Sequence, residues 1–156
     1  MSEAEAERRA AIDAVEDEAA RAGLRALDHS MRRDGYQRDD PIREVFALLG
    51  DRWSMLILLV LRTGTFRHAL LRRVVGALGA EEGISQRVLT LKLRALERNG
   101  LVLRRASDDI PPRVDYQLTA GGAELVDEAQ RLFDWIRGRT SEIQQARAAF
   151  DLGDEG

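Results

Sequence analysis

The chain has 156 residues, of which 44% are hydrophobic and 33% are charged, the composition of a folded domain rather than a disordered segment. It contains no cysteine and only two histidines, which excludes disulfides and thiol sensing and argues against a zinc site. The net charge is −3, but within residues 41–113 thirteen residues are basic and seven are acidic, so basic charge is concentrated in the middle of the chain. The longest apolar run, Met55–Leu61, is too short to cross a membrane, and the N-terminus has no signal-peptide core, so we expect a cytoplasmic protein without a membrane partner.

The N-terminal segment is rich in Ala, Glu and Arg. Residues 2–33 contain no proline, which predicts a helix. The apolar side of this helix is narrow, so the helix needs a partner surface to be stable. The pairs Asp34-Gly35 and Asp40-Pro41 interrupt the chain after it. We therefore assign residues 1–39 to an N-terminal helical extension.

Two short helices are predicted next. Pro41 suits the first position of a helix that Asp40 caps. The second helix runs from Trp53 to Arg62 behind a cap at Asp51 and is apolar on nearly all sides. We therefore predict that this helix is buried, with Trp53 as a core anchor.

A third short helix precedes the most informative one. It is predicted from Phe66 to about Val75, with a turn or longer loop over residues 76–83. Ile84-Ser85 then opens a helix that ends at Asn99-Gly100, where the glycine supplies a left-handed stop. On a helical wheel the apolar arc holds Val88, Leu89, Leu93 and Leu96, and the polar arc holds Gln86, Arg87, Thr90, Arg94, Glu97 and Arg98. Lys92 falls on the apolar side, and we expect its stem to carry the ammonium out to solvent.

Two strands and a long helix complete the pattern. Residues 101–105 and 113–118 are typical of strands joined by a polar loop, and Thr119 caps a final helix. Helix, helix, turn, helix and β-hairpin is the order of a winged helix, so the predicted fold class is mainly α with a small β-hairpin. The remaining assignments are a winged helix-turn-helix domain at 40–121, a C-terminal dimerisation helix at 122–150 and a flexible tail at 151–156.

Several short segments stand in a specific order and spacing. They are Asp40-Pro-Ile, Leu49-Gly-Asp-Arg-Trp53, Leu56-Ile-Leu-Leu59, Ile84-Ser-Gln-Arg-Val-Leu89, Leu93-Arg-Ala-Leu-Glu97, Gly100-Leu-Val102 and Pro111-Pro-Arg-Val-Asp-Tyr116-Gln-Leu-Thr119. Together they resemble the HxlR family of bacterial transcription regulators, relatives of the MarR regulators, over residues 40–137. The resemblance implies a homodimer that binds a pseudo-palindromic operator in double-stranded DNA near a promoter.

The chain departs from this family in four places. The family commonly has a cysteine at the position of Asp40, which in some members senses oxidants, so any inducing signal here is of another kind. Where the family usually has Arg-Phe-x-Glu-Leu, this chain has Thr65-Phe-Arg-His-Ala69. The loop before Ile84 is longer than usual, and so is the extension formed by residues 1–39.

The resulting prediction is a sequence-specific DNA-binding transcriptional regulator, a repressor, associated with the nucleoid. Ser85 would cap the reading helix and meet a phosphate, while Gln86, Arg87 and Thr90 would meet adenine, guanine and a thymine methyl group. The predicted phosphate contacts are Arg94, Arg98, Arg104, Arg105 and Arg113. No phosphate loop, nucleophile elbow or His-containing triad is present, so we predict no enzymatic role and no cofactor.

We also predict how the protein assembles. The apolar stripes of the N- and C-terminal helices exceed what a small core covers and are expected to pack across a two-fold axis. The predicted interface residues are Leu24, Leu27, Met31, Leu132, Phe133 and Ile136. By analogy with the family, an effector would be a small apolar or aromatic molecule held between the domain core and the terminal helices.

An alternative function remains open at this point. A winged helix can serve as a protein-interaction module or adaptor after losing sequence-specific DNA binding. His68, the long loop and the acidic pair Asp108-Asp109 at the wing tip favour this alternative. RNA binding is disfavoured because the chain lacks the aromatic residues that stack on single-stranded bases.

Overall fold

The computed structural model describes residues 2–34, 40–80 and 83–154. Its residues form two compact units, 1–47 and 48–156, which are described separately below. No helix in the described ranges is long and apolar enough to span a bilayer.

Residues 2–34 of the first unit form two helices where the sequence predicts one. Helix α1 spans Glu3–Asp13 and α2 spans Glu18–Arg33, with Ser2 and Asp17 as their N-caps. The single-helix prediction is wrong because the side chain of Asp17 accepts a hydrogen bond from the Ala20 amide and restarts the helix after an extended residue. Ion pairs then join the helices: Arg25 with Asp13 at 2.8 Å, Arg32 with Glu5 at 3.1 Å, and Arg8 with Asp28 at 3.4 Å.

The third helix, α3, spans Pro41–Gly50, as predicted from Pro41. The Asp40 carboxylate accepts a hydrogen bond from the amide of Ile42 at 3.1 Å and so satisfies an otherwise unpaired donor at the helix start.

The core of the second unit forms around a buried helix. Helix α4 spans Arg52–Leu61 behind its N-cap Asp51, and six of its residues are buried, as its apolar sequence predicts. Trp53 is partly buried and packs against this core, consistent with its predicted role as an anchor. Helix α5 spans His68–Leu78 and α6 spans Gln86–Arg98. The largest fully buried apolar side chains come from these three helices and from helix α7 (Ala120–Arg137): Ile57, Leu58, Leu71, Val75, Leu89, Leu93, Leu96 and Val126.

The predicted β-hairpin is present and forms part of a three-stranded antiparallel sheet. Strands β2 (Val102–Ala106) and β3 (Val114–Leu118) pair as expected, and β1 (Phe66–Arg67) adds to the outer edge of β3. The prediction that a helix begins at Phe66 is wrong because Phe66 and Arg67 pair with Tyr116 and Asp115. The same helix also continues through Gly76 to Leu78, beyond its predicted end.

Two helices, not one, follow the sheet. Helix α7 spans Ala120–Arg137 behind its predicted cap Thr119, and α8 spans Thr140–Asp154. The predicted continuous helix over 122–150 is therefore interrupted at Gly138. The first turn of α7 lies so close to Leu101 that a Cβ atom on Gly122 would overlap the Leu101 carbonyl oxygen.

Candidate nucleic-acid interface

Helix α6 presents its first turn to solvent. The Ser85 hydroxyl accepts a hydrogen bond from the Val88 amide at 3.1 Å, which caps the helix as predicted. Ser85, Gln86 and Arg87 are all exposed, so the positive end of the helix dipole and two polar side chains are accessible together. At the other end, Gly100 has a φ of 70° and stops the helix in the predicted left-handed conformation.

Thr90, one turn further along α6, is bound to a residue of α5. Its hydroxyl donates to the Gln86 carbonyl oxygen at 2.9 Å and lies 3.0 Å from Nε2 of His68. Because the single hydroxyl proton is used on Gln86, Nε2 of His68 must carry the hydrogen that closes the second bond. Burial, together with the charge of Arg72, lowers the pKa of His68, so the ring is neutral at pH 7.

A second polar contact ties α6 to α4. The carboxylate of Asp51 accepts hydrogen bonds from the amide and hydroxyl of Ser54, at 2.8 and 2.7 Å, and from the Lys92 ammonium at 2.8 Å. Lys92 therefore ends on Asp51 rather than in open solvent, contrary to expectation. Burial raises the pKa of Asp51, but the hydrogen bonds from Lys92 and Ser54 outweigh this effect and leave the pKa below its ordinary value.

The strand register separates the arginines of the wing, the β2–β3 hairpin. Residues directly opposite each other in a sheet share a face, and neighbours along a strand point to opposite faces. Arg104 is opposite the buried Tyr116, whereas Arg105 is opposite Asp115. Arg104 consequently lies on the face that packs against α6, and Arg105 lies on the outer face.

Arg94 of α6 and Arg104 of β2 line one polar groove, together with Thr90, Leu93, Glu97 and Tyr116. The structure therefore brings together two of the predicted contacts on α6, Thr90 and Arg94, and one of the three predicted wing arginines. Arg113 stands apart at the far end of the wing, where its guanidinium lies 3.4 Å from the Asp109 carboxylate. Arg98 is exposed in the last turn of α6.

Sequence reasoning missed the roles of His68 and Lys92 in fixing α6. Asp51 was identified only as a helix cap, although Lys92 on the apolar side of the wheel signalled that an acidic partner was needed there. His68 gave no such signal, because its partner lies 22 residues away on another helix. No group of His, Asp or Glu side chains that could hold a metal ion occurs within residues 2–34, 40–80 and 83–154.

The residues predicted to form the dimer interface differ in their exposure to solvent. Leu24, Leu27 and Met31 of α2 are 37%, 54% and 38% exposed, and Leu132 and Ile136 of α7 are 51% and 41% exposed. Phe133 was predicted to lie in an interface, but it is partly buried and packs against the core of its own unit. Trp135 is exposed beside Leu132 and Ile136, with the Arg139 guanidinium 4.3 Å from its ring centre.

Helices α5 and α6 with the adjacent wing form a winged helix-turn-helix, the fold of a large class of DNA-binding proteins. Residues 48–144 match the family model described as HxlR-like helix-turn-helix. The chain belongs to this family, as its sequence resemblance predicted, and is a DNA-binding transcription regulator by class.

Individual relatives agree with this assignment. The uncharacterized HTH-type transcriptional regulator YtfH of Escherichia coli (strain K12) is 38% identical over 107 residues, covering 69% of this chain and 80% of that protein. The structure of ytfH from Salmonella typhimurium, provisionally named a transcriptional regulator, is 34% identical with a TM-score of 0.57, covering 73% of this chain and 96% of that one. Diamide-treated YodB from B. subtilis is 32% identical with a TM-score of 0.53, covering 62% and 89% of the two chains.

Proposed function

We propose that this protein is a sequence-specific repressor that binds a pseudo-palindromic operator as a homodimer, with α6 in the major groove. The observation that carries the proposal is the exposed first turn of α6, because helix-turn-helix proteins place that end of the helix against the base edges. Polar anchors on α4 and α5 hold α6 in one orientation, which sequence discrimination requires.

Different contacts are proposed to supply specificity and affinity. Arg87 and Gln86 suit bidentate contacts with guanine and adenine, respectively. Arg94 and Arg104 flank one groove and suit phosphates, as does Arg98 in the last turn. Arg105 lies on the outer face and Arg113 next to Asp109, so we propose that these two contribute less than Arg104.

A second copy is proposed to cover the exposed apolar stripe on each unit. A homodimer of this kind presents two copies of α6 related by a two-fold axis, and the operator would share that symmetry. The chain has no cysteine, so any signal that releases it from DNA acts without a thiol, unlike an oxidant that modifies cysteine. A small apolar or aromatic effector remains the proposed class of ligand.

Selection from a library of random duplexes tests the proposal. The full-length protein should enrich an inverted repeat and bind it with two chains per duplex. Placing the enriched sequence across a promoter should lower reporter expression when the protein is present. Failure to enrich any sequence would favour the adaptor alternative, and raised expression would make the protein an activator.

Two arginine variants distinguish base reading from phosphate contact. Arg87→Ala should cost about 1–3 kcal/mol on the enriched duplex and relax preference at one base position. Arg94→Ala should weaken binding to enriched and scrambled duplexes alike and reduce the salt slope by about one. Affinities for both duplexes, measured at several salt concentrations, give the sequence preference and the salt slope of each variant. Unchanged discrimination in Arg87→Ala would show that the first turn of α6 is not the reader.

A further inference from the structure

Leu91 is an apolar residue on the outward side of α6. Its side chain is 54% exposed, whereas Leu89, Leu93 and Leu96 form the buried side of the same helix. Residues three and four apart are neighbours on a helix surface, so Leu91 lies between Arg87 and Arg94. The three residues form a continuous stripe in which a leucine is flanked by two exposed guanidinium groups.

Thr90 next to it is less available. It is only partly exposed, its hydroxyl proton is used on Gln86, and His68 donates to its oxygen. The bond from His68 joins α5 to α6 at the second turn of α6. The Thr90 hydroxyl is therefore committed to contacts within the protein, and the side chain offers DNA less surface than that of Leu91.

We propose that Leu91 is a specificity-determining residue that contacts the 5-methyl group of a thymine in the major groove, while Thr90 positions α6 through His68. This inference rests on the proposed function, since it requires α6 to enter the groove. DNA is the occupant that fits the stripe, because the flanking arginines complement a guanine edge and a phosphate and would be costly to desolvate against an apolar protein partner. The thymine methyl group is the apolar feature that the major groove displays.

The experiment removes one methyl group from the DNA and one side chain from the protein. Each thymine of the enriched duplex is replaced in turn by uracil, which lacks only the 5-methyl group. For the wild-type protein, one replacement per half-site should weaken binding about fourfold, the effect of losing one buried methyl-sized contact. For Leu91→Ala, the same replacement should have no effect. Because the variant lacks the contact in both half-sites, its affinity for the unmodified duplex should already be reduced about fourfold for each half-site.

Thr90→Ser is the matched control. It removes the methyl group of Thr90 but keeps the hydroxyl that bonds to Gln86 and His68. This variant should remain sensitive to the same uracil replacement as the wild type. Leu91 is exposed, so Leu91→Ala should leave the unfolding temperature unchanged.

The outcomes separate this inference from the proposed function. Failure to enrich any duplex would reject the proposed function itself. An enriched duplex whose uracil sensitivity persists in Leu91→Ala would overturn the inference while leaving the proposed function in place. Loss of sensitivity in Thr90→Ser alone would make Thr90 the reader. Leu91→Ala that changed only the sedimentation of the free protein would assign the residue to a contact between copies.

Discussion

Asp51 serves two helices with one carboxylate. One oxygen caps α4 through Ser54, and the other receives the ammonium of Lys92 from α6. Both side chains of the ion pair are about 30% exposed, at 29% for Asp51 and 30% for Lys92, so solvent screens the pair only in part. The position of the recognition helix therefore depends on the charge of a residue that lies on a different helix.

We expect the stability contribution of Asp51 to depend on pH. Its pKa is lowered in the folded protein, so the contribution is present above the unfolded value of about 3.9 and is lost as pH falls through the folded value. Asp51→Asn keeps a capping side chain but removes the charge. The variant should be less stable than the wild type by about 1 kcal/mol at pH 7, and the difference should vanish at low pH. Urea unfolding between pH 3 and 7 measures the free energy of unfolding of the wild type and of the variant. A difference between the two that does not change with pH would contradict this account.

His68 and Thr90 should act as a pair in DNA binding. Gln can place an amide donor near the position of Nε2, so His68→Gln should preserve the bond that His68→Ala removes. His68→Ala and Thr90→Val should each reduce the ratio of affinities for enriched and scrambled duplexes, and the double variant should be no worse than either one. Binding titrations on both duplexes complete this cycle. Additive losses, or no rescue by glutamine, would show that the two residues do not act through their shared bond.

Local signals predicted most helix ends correctly. Asp40, Asp51, Ser85 and Thr119 each cap a helix as expected, because a cap is decided by one side chain and the amides two or three residues further on. Gly100 stops α6 for an equally local reason. Five of the boundaries that position the recognition helix and the wing could thus be obtained from sequence.

Structural features that depend on residues far apart in the chain could not be predicted from the sequence. Strand β1 is two residues long and exists because it pairs with β3, about fifty positions further along the chain, so no period within Phe66–Arg67 could reveal it. The contact of His68 with Thr90 is of the same kind. Arg104 and Arg105 could be predicted to face opposite ways, but which of them faces α6 required the pairing of β2 with β3.

The junction between the recognition helix and α7 is the most tightly packed backbone contact. Thr119 donates through its hydroxyl to the Gly100 carbonyl at 2.6 Å and through its amide to the Leu101 carbonyl at 3.1 Å. Gly122 then passes against Leu101. Because Leu101 lies just after α6 and just before β2, this junction couples α7 to both parts of the proposed DNA-binding surface.

Gly122→Ala and Gly121→Ala should have opposite effects on stability. An added Cβ atom at Gly122 overlaps the Leu101 carbonyl oxygen, so backbone must shift, at a cost of about 1–3 kcal/mol. At Gly121 the nearest atom to an added Cβ is the Thr119 hydroxyl oxygen at 3.9 Å, and alanine should stabilise the helix by up to about 1 kcal/mol. Thermal or urea unfolding compares the stabilities of the two variants with that of the wild type. Equal changes in stability would contradict the close approach of α7 to Leu101.

Two groups of exposed apolar side chains lie on helices other than α6. One group lies on α2 and another on the C-terminal half of α7, where Leu132, Trp135 and Ile136 are neighbours at helical spacing. Stable interfaces bury roughly 800 Å² on each partner, which a stripe on one helix does not provide. In the homodimer that we propose, an interface that uses both groups would be larger and would also set the spacing between two copies of α6.

Leu132→Asp combined with Ile136→Asp should convert the proposed homodimer to a folded monomer. Both side chains are about half exposed within one chain, so charging them costs little in the monomer but places two carboxylates per chain in an apolar interface. Gln130→Asp, at an exposed polar position on the same helix, is the control for added charge and should remain dimeric. Phe133→Asp should instead unfold the chain, since Phe133 packs against its own core. Sedimentation velocity and circular dichroism distinguish these results.

The monomeric variant should also bind DNA less tightly, because each half of an inverted repeat would then be bound independently. It should lose most of its affinity for the enriched duplex while keeping its salt dependence per half-site. A wild-type protein that sediments as a monomer at micromolar concentration would contradict the proposed assembly.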